Sequence, residues 1–153
     1  MAKPRHWVKN IIVADTLSFI EAPGIAEYLA RQGKSVEIIT HHSAVGLELK
    51  IMNHWQHVLP RLFANKIKIS PFTWISKIQG KKVSVYNVYY KQDRRELDGI
   101  DNVVLITGKI QNDSLYHAFE GKVSELYLVG DANIGGARIG NAMYDSQRIG
   151  RTI

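Results

Sequence analysis

Three short apolar stretches of this 153-residue chain each run out into a polar pair. Ile11 to Ala14 leads into Asp15-Thr16, Val103 to Ile106 into Thr107-Gly108, and Leu126 to Val129 into Gly130-Asp131. A fourth stretch, Val36 to Ile39, leads into Thr40-His41-His42. Carboxylates, hydroxyls, imidazoles and bare glycine backbone at strand ends suit ligand binding, because a doubly wound sheet holds its ligand outside the carboxyl ends of its strands. The candidate nucleotide-binding residues are therefore Asp15, Thr16, Gly24, Thr40, His41, Thr107, Gly108, Gly130 and Asp131. Three things count against a dinucleotide. The G-x-G-x-x-G fingerprint is absent, since the turn from Asp15 to Gly24 carries only its last glycine. Leu17, Phe19 and Ile20 also obstruct the close backbone approach that a pyrophosphate needs. No acid stands at the end of the second stretch to hold a ribose. His41 and His42 could instead meet the 2′-phosphate of NADP, or simply lie on the surface. A nucleotide-filled crevice and an empty one both stay open.

Other chemistries have less behind them. His54 and His57 stand three apart on a helical pattern, but no carboxylate at matching spacing completes a metal site. No serine sits in a strained glycine elbow, which disfavours a Ser-His-Asp hydrolase. The chain has no cysteine, so it can form no disulfide, thiolate nucleophile or cysteine-ligated iron–sulfur cluster of its own. Trp55, Trp74, Tyr86, Tyr89 and Tyr90 read as core and partner-facing aromatics rather than as a flavin stack. Catalytic residues are expected to be none.

Lysine and arginine number 20 against 14 acidic residues, a formal charge of +6. The basic residues are scattered, from Lys3, Arg5 and Lys9 through Lys81 and Lys82 to Arg148 and Arg151, with no basic stripe along any helix. That distribution describes a solvated surface, or one that favours a polyanionic small molecule or an acidic partner. A nucleic-acid binder, the reading this distribution disfavours, would show steeply salt-dependent affinity for DNA or RNA. No apolar run approaches the roughly 18–20 residues needed to span a bilayer. The basic start, Met1 to Trp7, lacks the apolar stretch of a secretory signal. A cytoplasmic, membrane-free protein is the expectation.

The elements that would position these residues can be read in order. Asn10–Asp15 is a buried strand; Ala22-Pro23-Gly24 opens a helix that Gly33 stops; Ser35–Thr40 is a second strand, parallel to the first. Apolar residues from Ile51 to Phe63 recur at helical intervals, with Pro60 expected to kink or end the helix. A strand follows near Lys66 to Ser70. Between 72 and 91 the period changes to two, which predicts an antiparallel excursion with a hairpin turn at Gln79-Gly80-Lys81. Lys91 to Gly99 reads as a charged surface loop, and Asn102 to Gly108 as a strand. Asn112 to Phe119 is a short helix, Glu125 to Asp131 another strand, and a glycine-rich turn at Gly135-Gly136 leads into a last helix. The expected fold is α/β, a three-layer Rossmann-like parallel sheet with that antiparallel excursion, in a single domain over 1–153.

This order resembles the C-terminal nucleotide-binding region of the FMN and iron–sulfur flavoenzymes of the trimethylamine dehydrogenase and 2,4-dienoyl-CoA reductase type. There, a barrel carrying FMN and a 4Fe–4S cluster precedes two interleaved dinucleotide-fold domains. Ile11 to Thr40, with Asp15 and Ala22-Pro23-Gly24, is similar to the first βαβ unit of the NAD(P)-type domain. Thr107-Gly108-Lys109-Ile110-Gln111-Asn112 is similar to a threonine-glycine-arginine-rich segment of that family, from which Ile110-Gln111 departs. On this resemblance 1–123 corresponds to the NAD(P)-type portion and 124–153 to the closing strand and helix of an FAD- or ADP-type domain, with Gly130-Asp131 near the nucleotide. The barrel, the cluster cysteines and the glycine fingerprint are missing. The resemblance thus implies an accessory subunit or domain of a flavin-dependent dehydrogenase or demethylase, with NAD(P), ADP or FAD as cofactors. Its partner would be a larger flavoprotein chain carrying FMN and an iron–sulfur cluster, a homo-oligomer being the other assembly open. Catalysis would lie on that partner. The competing expectation is a non-catalytic assembly module whose crevice is empty.

Overall fold

The computed structural model describes residues 8–136 and 138–153, so the basic residues of the first seven positions lie outside the described residues. The chain divides into two compact units, Met1–Thr107 and Gly108–Ile153, taken one at a time.

The first unit is an α/β layer structure. Strands β1 (Asn10–Asp15), β2 (Ser35–Thr40), β3 (Lys68–Ser70) and β7 (Asn102–Ile106) form a parallel sheet in the order β3-β2-β1-β7. Side chains that alternate across β1 and β2 meet apolar partners on both faces. That is why these runs are continuously hydrophobic rather than alternating. On one face Val13, Val36 and Ile38 pack with Ala22 and Ala26 of helix α1 (Glu21–Arg31), Leu49 of α2 (Leu47–Ile51) and Val58 and Leu62 of α3 (Trp55–Ala64). On the other, Ile12, Ala14 and Ile39 pack with Val83 and Val85. Each fully buried valine, leucine or isoleucine among them contributes about 1.5–3 kcal/mol of transfer free energy. Helix α1 starts where expected, with Pro23 in its first turn. It ends on Gly33 at φ +77°, where the Lys34 N–H donates back to Leu29 and the Gly33 N–H to Ala30.

The second face is covered not by helices but by a three-stranded antiparallel sheet, β4 (Thr73–Gln79), β5 (Lys82–Asn87) and β6 (Arg94–Leu97). The antiparallel excursion is where the period of two placed it. The expected surface loop from Lys91 to Gly99, however, contains β6. Its charges hid a strand pattern in which Arg95 and Leu97 turn inward. The Arg95 guanidinium reaches Glu37 of β2 at 2.7 Å and Ser70 of β3 at 2.8 Å, and Lys68 completes the cluster at 3.0 Å. These partners hold the Glu37 carboxyl below its ordinary range against the opposing effect of burial. A charged strand here ties one sheet to the other.

Two helical expectations also change. The pattern from Ile51 to Phe63 is broken at Met52 to His54, where Asn53 takes φ +59°, a conformation asparagine tolerates better than most residues. Of the two effects expected of Pro60, a kink or an end, the end does not occur: the helix runs four residues beyond it to Ala64.

In the second unit, helix α4 spans Ser114–Phe119 and helix α5 spans Ile139–Gly150. The expected strand from Glu125 to Asp131 does not form. Residues 125–129 pair with no strand among the described residues, and Gly130–Ala132 is a 3-10 turn. Gly135 is a point of close approach: a Cβ there would lie 2.5 Å from the Gln111 nitrogen and the Lys109 oxygen, so only glycine fits.

Candidate functional site

The strand order reverses between β1 and β7, and the crevice outside their carboxyl ends is where a doubly wound sheet binds its ligand. Asp15 and Thr16 stand at this point as expected. Both are turned to internal use. The Thr16 N–H and its hydroxyl both donate to the Ile106 carbonyl, at 2.9 and 3.1 Å, and so join the two strand ends across the switch point. Asp15 is completely buried; its Oδ1 accepts the Leu17 and Ser18 N–H groups, each at 3.0 Å. These two N–H groups lead from the strand toward helix α1, the position from which backbone donors would hold a pyrophosphate. The chain's own carboxylate fills that seat.

The loop after β2 closes the crevice from the other side. The Ser18 hydroxyl donates to the Ala44 carbonyl and accepts from the Leu47 N–H. The buried Thr40 hydroxyl accepts from the His42 N–H, and the His42 Nε2 lies 3.1 Å from the Thr16 carbonyl, a contact that requires the ring nitrogen to donate. His41 packs on His42 at 4.0 Å between ring centroids and edge-on to Trp74 at 5.7 Å. Burial, with His42 beside it, pushes the His41 imidazole below its ordinary value, so this ring resists the charge that would attract a 2′-phosphate.

Electrostatics reinforce the closure. Burial pushes the Asp15 carboxyl above its ordinary value; its two backbone hydrogen bonds and His42 oppose this, and Glu21 adds to it. The second Asp15 oxygen, Oδ2, is buried without a hydrogen-bond partner among the described residues. Helix α1 begins with no side-chain cap on Ile20 and with Glu21 in its first turn. Two acidic residues beside the helix start would repel a phosphate. The residues present do not fit a dinucleotide pyrophosphate.

Gly24 lies in α1, solvent-exposed, with nothing within 4 Å of a Cβ built on it. It is not a close-approach glycine, and Gly24→Ala is expected to stabilise the chain by about 0.5–1 kcal/mol through helix propensity. Urea unfolding measures this directly, and a loss of stability would reveal packing at that position. Thr107 is exposed at the end of the first unit. Gly108, Gly130 and Asp131 belong to the second unit, where buried Gly130 takes φ +64° and packs against Ala142 of α5. Ser18 is the functional-site residue that sequence reasoning missed. Its signal was the Asp-x-x-Ser spacing of a turn closed by an aspartate side chain. Among the described residues, no group of three or more His, Cys, Asp or Glu could hold a metal ion, and no helix is long and apolar enough to cross a membrane.

The family model described as OYE-like second alpha/beta domain matches residues 2–123. Dimethylamine dehydrogenase of Hyphomicrobium sp. (strain x) is 21% identical over 169 residues, covering 95% of this chain and 23% of that protein. The solved structure of 6-hydroxypseudooxynicotine amine oxidase from Pseudomonas geniculata N1 superposes with a TM-score of 0.84 at 28% identity, covering 93% of this chain and 22% of that one. Histamine dehydrogenase from Rhizobium sp. 4-9 gives 0.85 at 22% identity, over 95% of this chain and 23% of that one. The chain therefore spans less than a quarter of the length of these relatives.

Proposed function

Since the chain belongs to the family of OYE-like second alpha/beta domains, of the trimethylamine dehydrogenase and 2,4-dienoyl-CoA reductase type, we propose that it is a non-catalytic α/β module of a flavin-dependent oxidoreductase. Its role is assembly. The flavin, any nicotinamide nucleotide and the reacting groups belong to the larger part of the enzyme, and no acid or base for the reaction comes from this chain. One observation carries this choice over a nucleotide-binding subunit: the Asp15 carboxylate accepts the two N–H groups that a pyrophosphate would need. The Thr16 bonds to Ile106 support it by joining the strand ends at the switch point.

Calorimetric titration of the isolated chain with ADP, NADH, NADPH and FAD tests the proposal. No binding tighter than about 1 mM, roughly −4 kcal/mol, is expected for any of the four. Micromolar binding of one of them would replace the assembly role with that of a nucleotide-carrying subunit.

A further inference from the structure

The antiparallel sheet has one buried face and one open face. Along β5, Val83 and Val85 pack inward with Ile12, Ala14 and Ile39, so Ser84 points the other way. Cross-strand pairing sets Lys77 of β4 and Glu96 of β6 opposite Ser84 from its two sides, and Arg94 opposite Tyr86. Ser76 is the extra residue of a β-bulge between Ile75 and Lys77, and its hydroxyl donates to the Ser84 carbonyl at 3.1 Å. A bulge re-aims the side chains beside it, and here it brings Ser76 into the same groove as Lys77. The groove is open, has a volume of about 430 Å³, and is lined by Ser76, Lys77, Ser84, Arg94, Arg95 and Glu96. That volume falls within the range of small-ligand sites, roughly 300–1,000 Å³.

Its charges are not balanced. Arg95 is committed to Glu37 and Ser70. Glu96 shares Lys82, at 3.8 Å, with Asp98. The Lys77 ammonium has no hydrogen bond or ion pair among the described residues, and Arg94 commits only its Nε, to the Lys91 carbonyl at 2.9 Å. Two cations without acids, beside the Ser84 hydroxyl, suit a dianionic oxyanion, which such donors hold through charge-assisted hydrogen bonds. The Glu96 carboxylate repels a bare anion but accepts a hydroxyl hydrogen from a body that carries one. We infer that this groove binds a phosphomonoester of a hydroxylated carbon body, such as a sugar phosphate, with Lys77 and Arg94 on the phosphate and Glu96 on a hydroxyl. The groove shares no residue with the strand ends that Asp15 closes, and the inference does not depend on the assembly role.

The test follows the amide signals of the full-length chain in two-dimensional NMR spectra as glucose 6-phosphate, inorganic phosphate or glucose is added at constant ionic strength. Glucose 6-phosphate should move the Lys77, Ser84 and Arg94 signals saturably at millimolar concentration, and glucose should move none. Glucose 6-phosphate should bind about fivefold more tightly than inorganic phosphate, because only the former offers a hydroxyl to Glu96. Lys77→Gln and Arg94→Gln should each weaken glucose 6-phosphate by about tenfold. Both side chains are exposed, so the thermal transition of these variants should be unchanged, which separates lost binding from lost folding. Glu96→Gln should remove the preference for glucose 6-phosphate over inorganic phosphate. No saturable movement of the groove signals, equal affinity of the wild type for the two phosphates, or binding indifferent to Lys77→Gln and Arg94→Gln would each overturn the inference. Movement of the Leu17 and Ser18 signals alone would also overturn it, and would count separately against the seat filled by Asp15.

Discussion

Asp15→Ala is expected to destabilise the chain by about 2–4 kcal/mol, because it leaves the Leu17 and Ser18 N–H groups without their acceptor and opens a void at a completely buried position. Asp15→Asn keeps an acceptor at the same place and removes the charge, so it should lie within about 1 kcal/mol of the wild type at neutral pH. The pH dependence distinguishes the two effects. Burial raises the Asp15 carboxyl above its ordinary value, so the folded chain holds this proton more tightly than the unfolded one. The stability that protonation supplies is complete below the unfolded value of about 4, and is lost as pH rises through the higher folded value. Glu37 and Asp101 are shifted down, and their contributions run the opposite way, complete above the unfolded value and lost as pH falls through the lower folded one. The difference between wild type and Asp15→Asn isolates Asp15. It should favour the Asn variant progressively from about pH 4 toward neutrality in urea unfolding. A difference independent of pH would mean that Asp15 does not titrate as a buried carboxyl. An Ala variant costing under about 0.5 kcal/mol would mean that the two N–H groups are satisfied by something else.

Ile39→Ala should be as costly, at about 2–5 kcal/mol. Ile39 is fully buried and packs with Val83 and Val85 of the antiparallel sheet, which covers the face where a doubly wound fold normally carries helices. Truncation leaves a hole between two sheets, neither of which can collapse far toward the other. Leu105→Ala is the control. Leu105 sits on edge strand β7 with 57% of its surface exposed, and its loss should cost well under the Ile39 figure. Equal effects at the two positions would contradict the packing of the antiparallel sheet on this face.

Much of the architecture was legible because it is local. Asn10–Asp15, Glu21–Arg31 and Ser35–Thr40 follow from a buried apolar run, a proline in a first turn and a glycine stop, all short-range signals. What was not legible depends on distant partners. β6 reads as a charged loop until Arg95 is seen to meet Glu37, 58 residues away. Glu125 to Asp131 reads as a strand on composition, yet a strand exists only when another pairs with it, and none among the described residues does. The same limit applies to the site. Sequence identified Asp15, Thr16 and Thr40 as strand-end polar residues, but not that they would be consumed by one another's loops. The link between Thr16 and Ile106 spans 90 residues and leaves no trace in local pattern.

The backbone donors following β1 belong to Asp15 and not to a nucleotide phosphate. Following the Leu17 and Ser18 amide signals in a two-dimensional NMR spectrum while ADP, NADPH or FAD is added tests this. Both signals are expected to stay in place up to millimolar nucleotide and to move instead with the titration of Asp15 and in the Asp15→Asn variant. Saturable movement of either signal at micromolar nucleotide would contradict it.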